Sequence, residues 1–182
     1  MTALLLLAAG RGTRFGGGKL AAVLEGKFLA WHAADNLSGL PFTRRIAVCS
    51  AQTPDLPGFE RIALQPAGAP LSRSIGVGIA ALANEDAVLI ALADMPLVPA
   101  SHFETLLTRF DGDRTGTRVG NQTMVPAIFG ARHFPALMAL SGDKGAGAML
   151  RDAPAVELEL SLALDVDTPE DLHRASALLQ GR

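Results

Sequence analysis

The chain has 182 residues, 49 % of them apolar and only 5 % aromatic, with no tyrosine. That length supports one domain whose core is built from Leu, Ala, Val and Ile. A net charge of −2 argues against the basic face of a nucleic-acid binder, and the single cysteine excludes an internal disulfide or a multi-cysteine metal site.

Leu4 to Ala8 reads as a first strand. This apolar start is shorter than the roughly 20 residues a membrane span needs, and it lacks the positive beginning of a secretion signal. A cytoplasmic location is expected, with no membrane partner, and one cysteine fits a reducing compartment. Ala30 to Leu37 predicts a helix with Trp31 facing the core. Arg45 to Ser50 predicts a strand in which Cys49 is a small buried residue. Ile75 to Leu82 predicts a helix, preceded by a turn in which Ser72 or Ser74 is a ready N-cap and Arg73 is exposed. Ala87 to Ala93 is continuously apolar, as a strand covered on both faces should be.

Further along, His102 to Phe110 predicts a helix, and the polar, glycine-rich stretch Asp111 to Asn121 an exposed loop. Val125 to Phe129 predicts a short strand, Phe134 to Leu140 a helix and Ala146 to Leu150 a short helix that Asp143 would cap. Val156 to Leu164 predicts a strand, and Pro169 to Leu179 the last helix. No linker or repeat divides the chain. The alternation predicts a single-domain, Rossmann-like three-layer α/β fold with a mostly parallel sheet flanked by helices. His32, His102, His133 and His173 lack the spacing of metal ligands and read as surface or packing residues.

The stretch from Gly10 to Lys19 carries five glycines with Arg11, Arg14 and Lys19. Bare glycine backbone lets N–H groups approach an anion closely, and such a loop leaving a central strand is where a nucleotide sits in an open α/β sheet. It is not a Walker A loop, because Thr13 stands at the first glycine position and Leu20 at the hydroxyl position. Nor is it a dinucleotide fingerprint, because Phe15 occupies the third glycine position, where helix and strand must pack closely.

Asp94 ends a buried strand that Pro96 stops, which puts its carboxylate at the carboxyl edge of the sheet as a hard oxygen ligand for Mg²⁺. In Asp165-Val166-Asp167-Thr168-Pro169-Glu170-Asp171, helix-start chemistry explains the last four residues. Asp165 and Asp167 remain. Only one of the pair is expected to face the site, and Asp167 is favoured.

Leu7-Ala8-Ala9-Gly10 with Arg14, Gly16 and Lys19 resembles the phosphate loop of the nucleotidyltransferases that act on the molybdenum cofactor. Asp94-Met95-Pro96, Pro126-Ala127-Ile128-Phe129, Ser141-Gly142-Asp143-Lys144-Gly145-Ala146 and the Asp165 to Leu172 segment extend the resemblance along the chain, in the order found in molybdenum cofactor cytidylyltransferases. Two positions depart from that pattern: Gly147, where a basic residue is usual, and Met124, where a glycine is usual. Both fall on the side expected to hold the acceptor.

The resemblance implies a fold like that of the nucleotide-diphospho-sugar transferases. It also implies transfer of CMP from CTP to the terminal phosphate of a molybdopterin-type cofactor, with release of pyrophosphate. Mg²⁺ would be held by Asp94 and Asp167, the departing charge stabilised by Arg14 and Lys19, and the nucleotide bound by Leu7, Ala8, Ala9, Gly10, Gly12 and Ser74. A molybdoenzyme or its chaperone would receive the product. The Ala8-Ala9 step points to CTP; GTP, or another phosphorylated acceptor, is the neighbouring alternative. A non-catalytic nucleotide- or cofactor-binding protein is the reading of a different class, and pyrophosphate release separates the two.

Overall fold

The computed structural model describes residues 1–10, 12–142 and 145–181. Arg11 and Asp143, singled out above, lie outside the described residues. In chain order the elements are β1 (Thr2–Ala8), β2 (Val23–Leu24), β3 (Lys27–Phe28), α1 (Leu29–Ser38), β4 (Arg44–Cys49), β5 (Glu60–Ala63), α2 (Leu71–Ala80), β6 (Ala87–Leu92), α3 (Ala100–Arg109), β7 (Arg114–Val119), β8 (Gln122–Gly130), α4 (Phe134–Met138), β9 (Ala155–Glu157) and α5 (Pro169–Gln180).

The leucine run forms β1, an interior strand of a seven-stranded sheet ordered β5-β4-β1-β6-β8-β7-β9. Strands β5, β4, β1 and β6 are parallel, β8 runs antiparallel to both its neighbours, and β9 is parallel to β7. Side chains alternate across β1 and so divide the core in two. Leu4, Leu6 and Ala8 pack with α1, α3 and Ala175 of α5, whereas Ala3, Leu5 and Leu7 pack with α2 and α4. This is the expected three-layer arrangement. Helix α2 lies so close to β1 that a Cβ added at Gly78 would come within 2.3 Å of Leu5 Cδ1. Among the described residues no helix is long and apolar enough to cross a membrane.

Four expectations need correction. The stretch Asp111 to Asn121 is not an exposed loop, because Arg114–Val119 is a strand with Thr115, Gly116 and Thr117 buried. Thr117 donates its hydroxyl to Pro126 O (2.6 Å) and accepts from His102 Nε2 (2.8 Å), which lets a polar residue sit inside the sheet. Only Ala155–Glu157 of the Val156 to Leu164 stretch is strand; the chain then turns, with Leu162 N bonded to Glu159 O. Helix α2 begins at Leu71, so Ser72 and Ser74 lie within its first turn and neither is a cap. The Ala146–Leu150 segment is helical, but of the tighter 3₁₀ kind. Strand β5 and the two-residue strands of the β2–β3 hairpin are too short for the sequence pattern to have marked them.

Candidate active site

The chain leaves β1 at Ala8 and enters two 3₁₀ turns, Thr13–Phe15 and Lys19–Ala21. Gly12, Gly16, Gly17 and Gly18 all take positive φ (55°, 87°, 99° and 63°), a region that glycine enters without steric cost. The Lys19 stem lies over the bare Gly12 backbone, where an added Cβ would sit 3.5 Å from Lys19 Cγ. This packing turns the Lys19 ammonium inward, and the residue is 5 % exposed.

Asp94 follows β6, whose ladder continues through Ala93 N to Leu7 O (3.1 Å). A further backbone bond, Val166 N to Asp94 O (2.9 Å), docks the segment before α5 against it. Val166 is fully buried, so its two neighbours both face the cleft. This corrects the expectation that one of Asp165 and Asp167 would point away: residues two apart along an extended segment share a face. The oxygens of Asp94, Asp165 and Asp167 lie within 4.8 Å of one another. The Thr168–Asp171 capping box fixes the start of α5, and Asp171 Oδ2 also accepts Asp167 N (3.3 Å), holding Asp167 in place.

Lys19 Nζ sits among these carboxylates, 2.8 Å from Asp94 Oδ2, 2.8 Å from Asp167 Oδ1 and 4.0 Å from Asp165 Oδ1. Burial alone would lower its pKa, but Asp94, Asp167 and Asp165 together hold the ammonium above the usual lysine value. The Asp165 carboxyl is pushed up to about 7, first by loss of water and then by the Asp94 charge, against the pull of Lys19. Arg14 reaches in from solvent to Asp167 Oδ2 (2.8 Å). Asp94 Oδ1 is buried and, among the described residues, has no hydrogen-bond partner. An orphaned carboxylate oxygen beside two further carboxylates is the donor set a hard divalent cation takes, so the residues present fit Mg²⁺ or Mn²⁺.

These groups line a cleft of about 290 Å³. Of the expected site residues, Leu7, Ala9, Gly10, Gly12, Arg14, Lys19, Ser74, Asp94 and Asp167 line it; Ala8 does not. The Ala8 side chain is in the core, and its carbonyl accepts from Thr53 Oγ1 (2.5 Å). Asp165, set beside Asp167 in the sequence but not favoured, lines the cleft as well, and Thr13, Ala69, Leu71 and Leu92 line it without having been foreseen. The spacing of Asp165 and Asp167 was a usable signal; the remaining three apolar residues carried none. A larger hollow of about 550 Å³, beside Pro66, Arg73 and Met138, meets the cleft at Ala69 and has no carboxylate in its lining.

A sequence model of the MobA-like NTP transferase domain matches residues 4–159. The chain belongs to that family. Its fold is similar to that of Rv0371c from Mycobacterium tuberculosis H37Rv, with a TM-score of 0.85 at 19 % identity, covering 97 % of this chain and 98 % of that one. It is also similar to a nucleotidyl transferase from Methanothermobacter thermautotrophicus (TM-score 0.83, 18 % identity, 100 % and 99 % covered). Rv0371c in complex with manganese matches with a TM-score of 0.81 at 20 % identity, over 97 % and 98 % of the chains. At such identities the likeness is one of fold. Comparison with curated protein sequences returns no significant match. Family and fold together place the chain among the nucleotidyltransferases.

Proposed function

We propose that the protein transfers CMP from CTP to the terminal phosphate of a molybdopterin-type cofactor and releases pyrophosphate, with Mg²⁺ as the metal. The observation that carries this reading is the meeting of a glycine-rich loop, one buried lysine and three carboxylates at the carboxyl edge of a single sheet. A protein that only binds nucleotide has no need of a buried carboxylate oxygen left without a partner.

In this reading the loop backbone at Gly10 and Gly12 cradles the triphosphate, and Leu7, Ala9 and the buried Ser74 hydroxyl form the nucleoside side of the cleft. Arg14 and Lys19 carry the positive charge that meets negative charge developing on the departing pyrophosphate. Mg²⁺, held by Asp94 and Asp167 with Asp165 beside them, would neutralise and orient the two phosphates brought together. The acceptor phosphate is already anionic at neutral pH, so no side-chain nucleophile is required, and the residues act by positioning and electrostatics.

The Ala8-Ala9 step supports CTP over GTP through its resemblance to the cytidylyl branch. Gly147 and Met124 depart from that branch on the acceptor side, which favours as second reading the same chemistry on another phosphorylated acceptor. The product would pass to a molybdoenzyme or its chaperone.

The test is pyrophosphate release with Mg²⁺, each of CTP, GTP, ATP and UTP, and the pterin acceptor with or without molybdenum. Release with CTP and the pterin is the expected result. Release with CTP and only a different acceptor moves the substrate assignment. Nucleotide binding with no release under any combination overturns the enzymatic reading.

A further inference from the structure

The turn between β4 and β5 lies behind the glycine loop and grips it at both ends. Arg61, on β5, organises this turn: Nη2 donates to Ser50 O (2.8 Å) and Thr53 O (3.1 Å), and Nη1 donates to Pro54 O (3.2 Å). Within the arc the hydroxyls form a one-way chain. Thr53 Oγ1 donates its proton to Ala8 O, so the 3.1 Å contact between the two hydroxyls must run from Ser50 Oγ to Thr53 Oγ1. Ser50 Oγ in turn accepts Gln52 N (3.2 Å). The end of β1 is therefore bound to the turn that carries the Gln52 side chain.

Gln52 makes the second grip. Its Oε1 accepts the Gly18 N–H (3.0 Å), one residue before Lys19. Gly16, Gly17 and Gly18 are consecutive glycines at positive φ; the Gly16 and Gly17 N–H groups bond back to Thr13 O (3.2 Å) and Gly12 O (3.1 Å), whereas the Gly18 N–H turns outward to Gln52. Among the described residues the Gly18–Gln52 contact is the one hydrogen bond that a side chain makes to these three glycines. Lys19 must nevertheless leave the backbone at one angle for its ammonium to reach two carboxylates at 2.8 Å.

We propose that Gln52 is a positioning residue for Lys19: its amide oxygen sets the Gly18 peptide, and so the direction in which the lysine enters the carboxylate cluster. The inference rests on the nucleotidyl-transfer reading. It adds a residue that lies off the substrate cleft, lines only the small crevice behind the loop, and acts through Lys19.

The experiment is a double-mutant cycle. Gln52→Ala should lower kcat about tenfold to a hundredfold, the cost of misplacing a charged group by about an ångström, with a smaller change in the nucleotide KM. In a Lys19→Ala background the same substitution should change kcat less than twofold, because the group it positions is gone. Gln52→Glu keeps the acceptor and should retain most of kcat, whereas Gln52→Asn, one methylene too short, should resemble Gln52→Ala. Equal losses in the two backgrounds, or Gln52→Glu worse than Gln52→Ala, would overturn the proposal. The Gly18 amide gives a readout independent of turnover: its hydrogen exchange should quicken at least tenfold in Gln52→Ala, and unchanged exchange refutes the contact itself. Wild-type protein that turns over no nucleotide would instead count against the functional reading.

Discussion

Lys19 Nζ lies 2.8 Å from Asp94 Oδ2, so a buried lysine neutralises an aspartate whose other oxygen is shut away with no partner among the described residues. The same ammonium bonds Asp167, which makes it the internal counter-ion of the whole acidic cluster. A divalent cation and Lys19 therefore draw on the same carboxylates.

Lys19→Met tests that relation. Removing one partner of a buried pair should cost about 3 kcal/mol in metal-free protein, near the lower bound because Asp167 keeps some contact with water. Turnover should fall roughly 10²- to 10³-fold. Added Mg²⁺ or Mn²⁺ should raise the melting temperature more in Lys19→Met than in wild type, since the carboxylates have lost their own cation. Thermal melts with and without metal, alongside pyrophosphate assays, check all three outcomes.

Asp165→Asn separates a two-carboxylate site from a three-carboxylate one. Its oxygen lies within 4.8 Å of those of Asp94 and Asp167. The expected result is Mn²⁺ binding weakened about tenfold, with Asp94→Asn weaker still because Asp94 is more buried and carries the orphaned oxygen. Calorimetric titration of each variant with Mn²⁺ measures this. Affinity unchanged from wild type in Asp165→Asn would remove Asp165 from the ligand set.

Gly78→Ala probes how the α2 wall of the cleft is held. The new methyl would overlap Leu5 at 2.3 Å and 2.6 Å, inside an otherwise filled core. Overpacking of this kind costs about 1–3 kcal/mol, read from the urea midpoint. Displacement of α2 also moves Ser74, so the nucleotide KM should rise while kcat changes less.

His102 supplies the pH dependence of stability. Burial holds its pKa below the ordinary histidine value of 6.5. The folded state thus binds fewer protons than the unfolded chain, so this contribution is intact above pH 6.5 and is lost progressively as pH falls from there toward the lower folded value. The Nε2–H donated to Thr117 is the neutral tautomer's proton, since the Thr117 hydroxyl is already committed to Pro126 O. His102→Gln, which can still donate to Thr117, should flatten the decline in urea midpoint between pH 7.5 and pH 5.

The central strands were legible because burial on both faces leaves uninterrupted apolar runs, and the start of α5 was legible because capping has its own residue code. Strand β7 was not, because Arg-Thr-Gly-Thr-Arg-Val has no apolar face; its burial depends on a hydroxyl pairing with His102 and Pro126, partners distant in sequence. The serines of the Gly68 to Ser74 stretch looked like caps only because the extra turn of α2 lacks apolar periodicity. Asp94 and Asp167 were singled out by the strand end and helix start they flank, and Arg14 and Lys19 by the family resemblance; the structure gathers all four in one cleft. Gln52 was not, because its partner is a backbone amide, which leaves no mark on composition.

The reversal of β8 lies immediately beside β6, the strand that delivers Asp94. Strands β1 and β6 end at the cleft; the β7–β8 hairpin turns at Gly120 and Asn121 on the same edge of the sheet, outside the cleft lining. The cleft is thus built on β1, β6, α2 and the segment before α5, and the hairpin tip stands outside its lining. Residues can be inserted at that tip without shifting a single aspartate. Such a scaffold lets the far edge of the sheet vary in length while the charge cluster keeps its geometry.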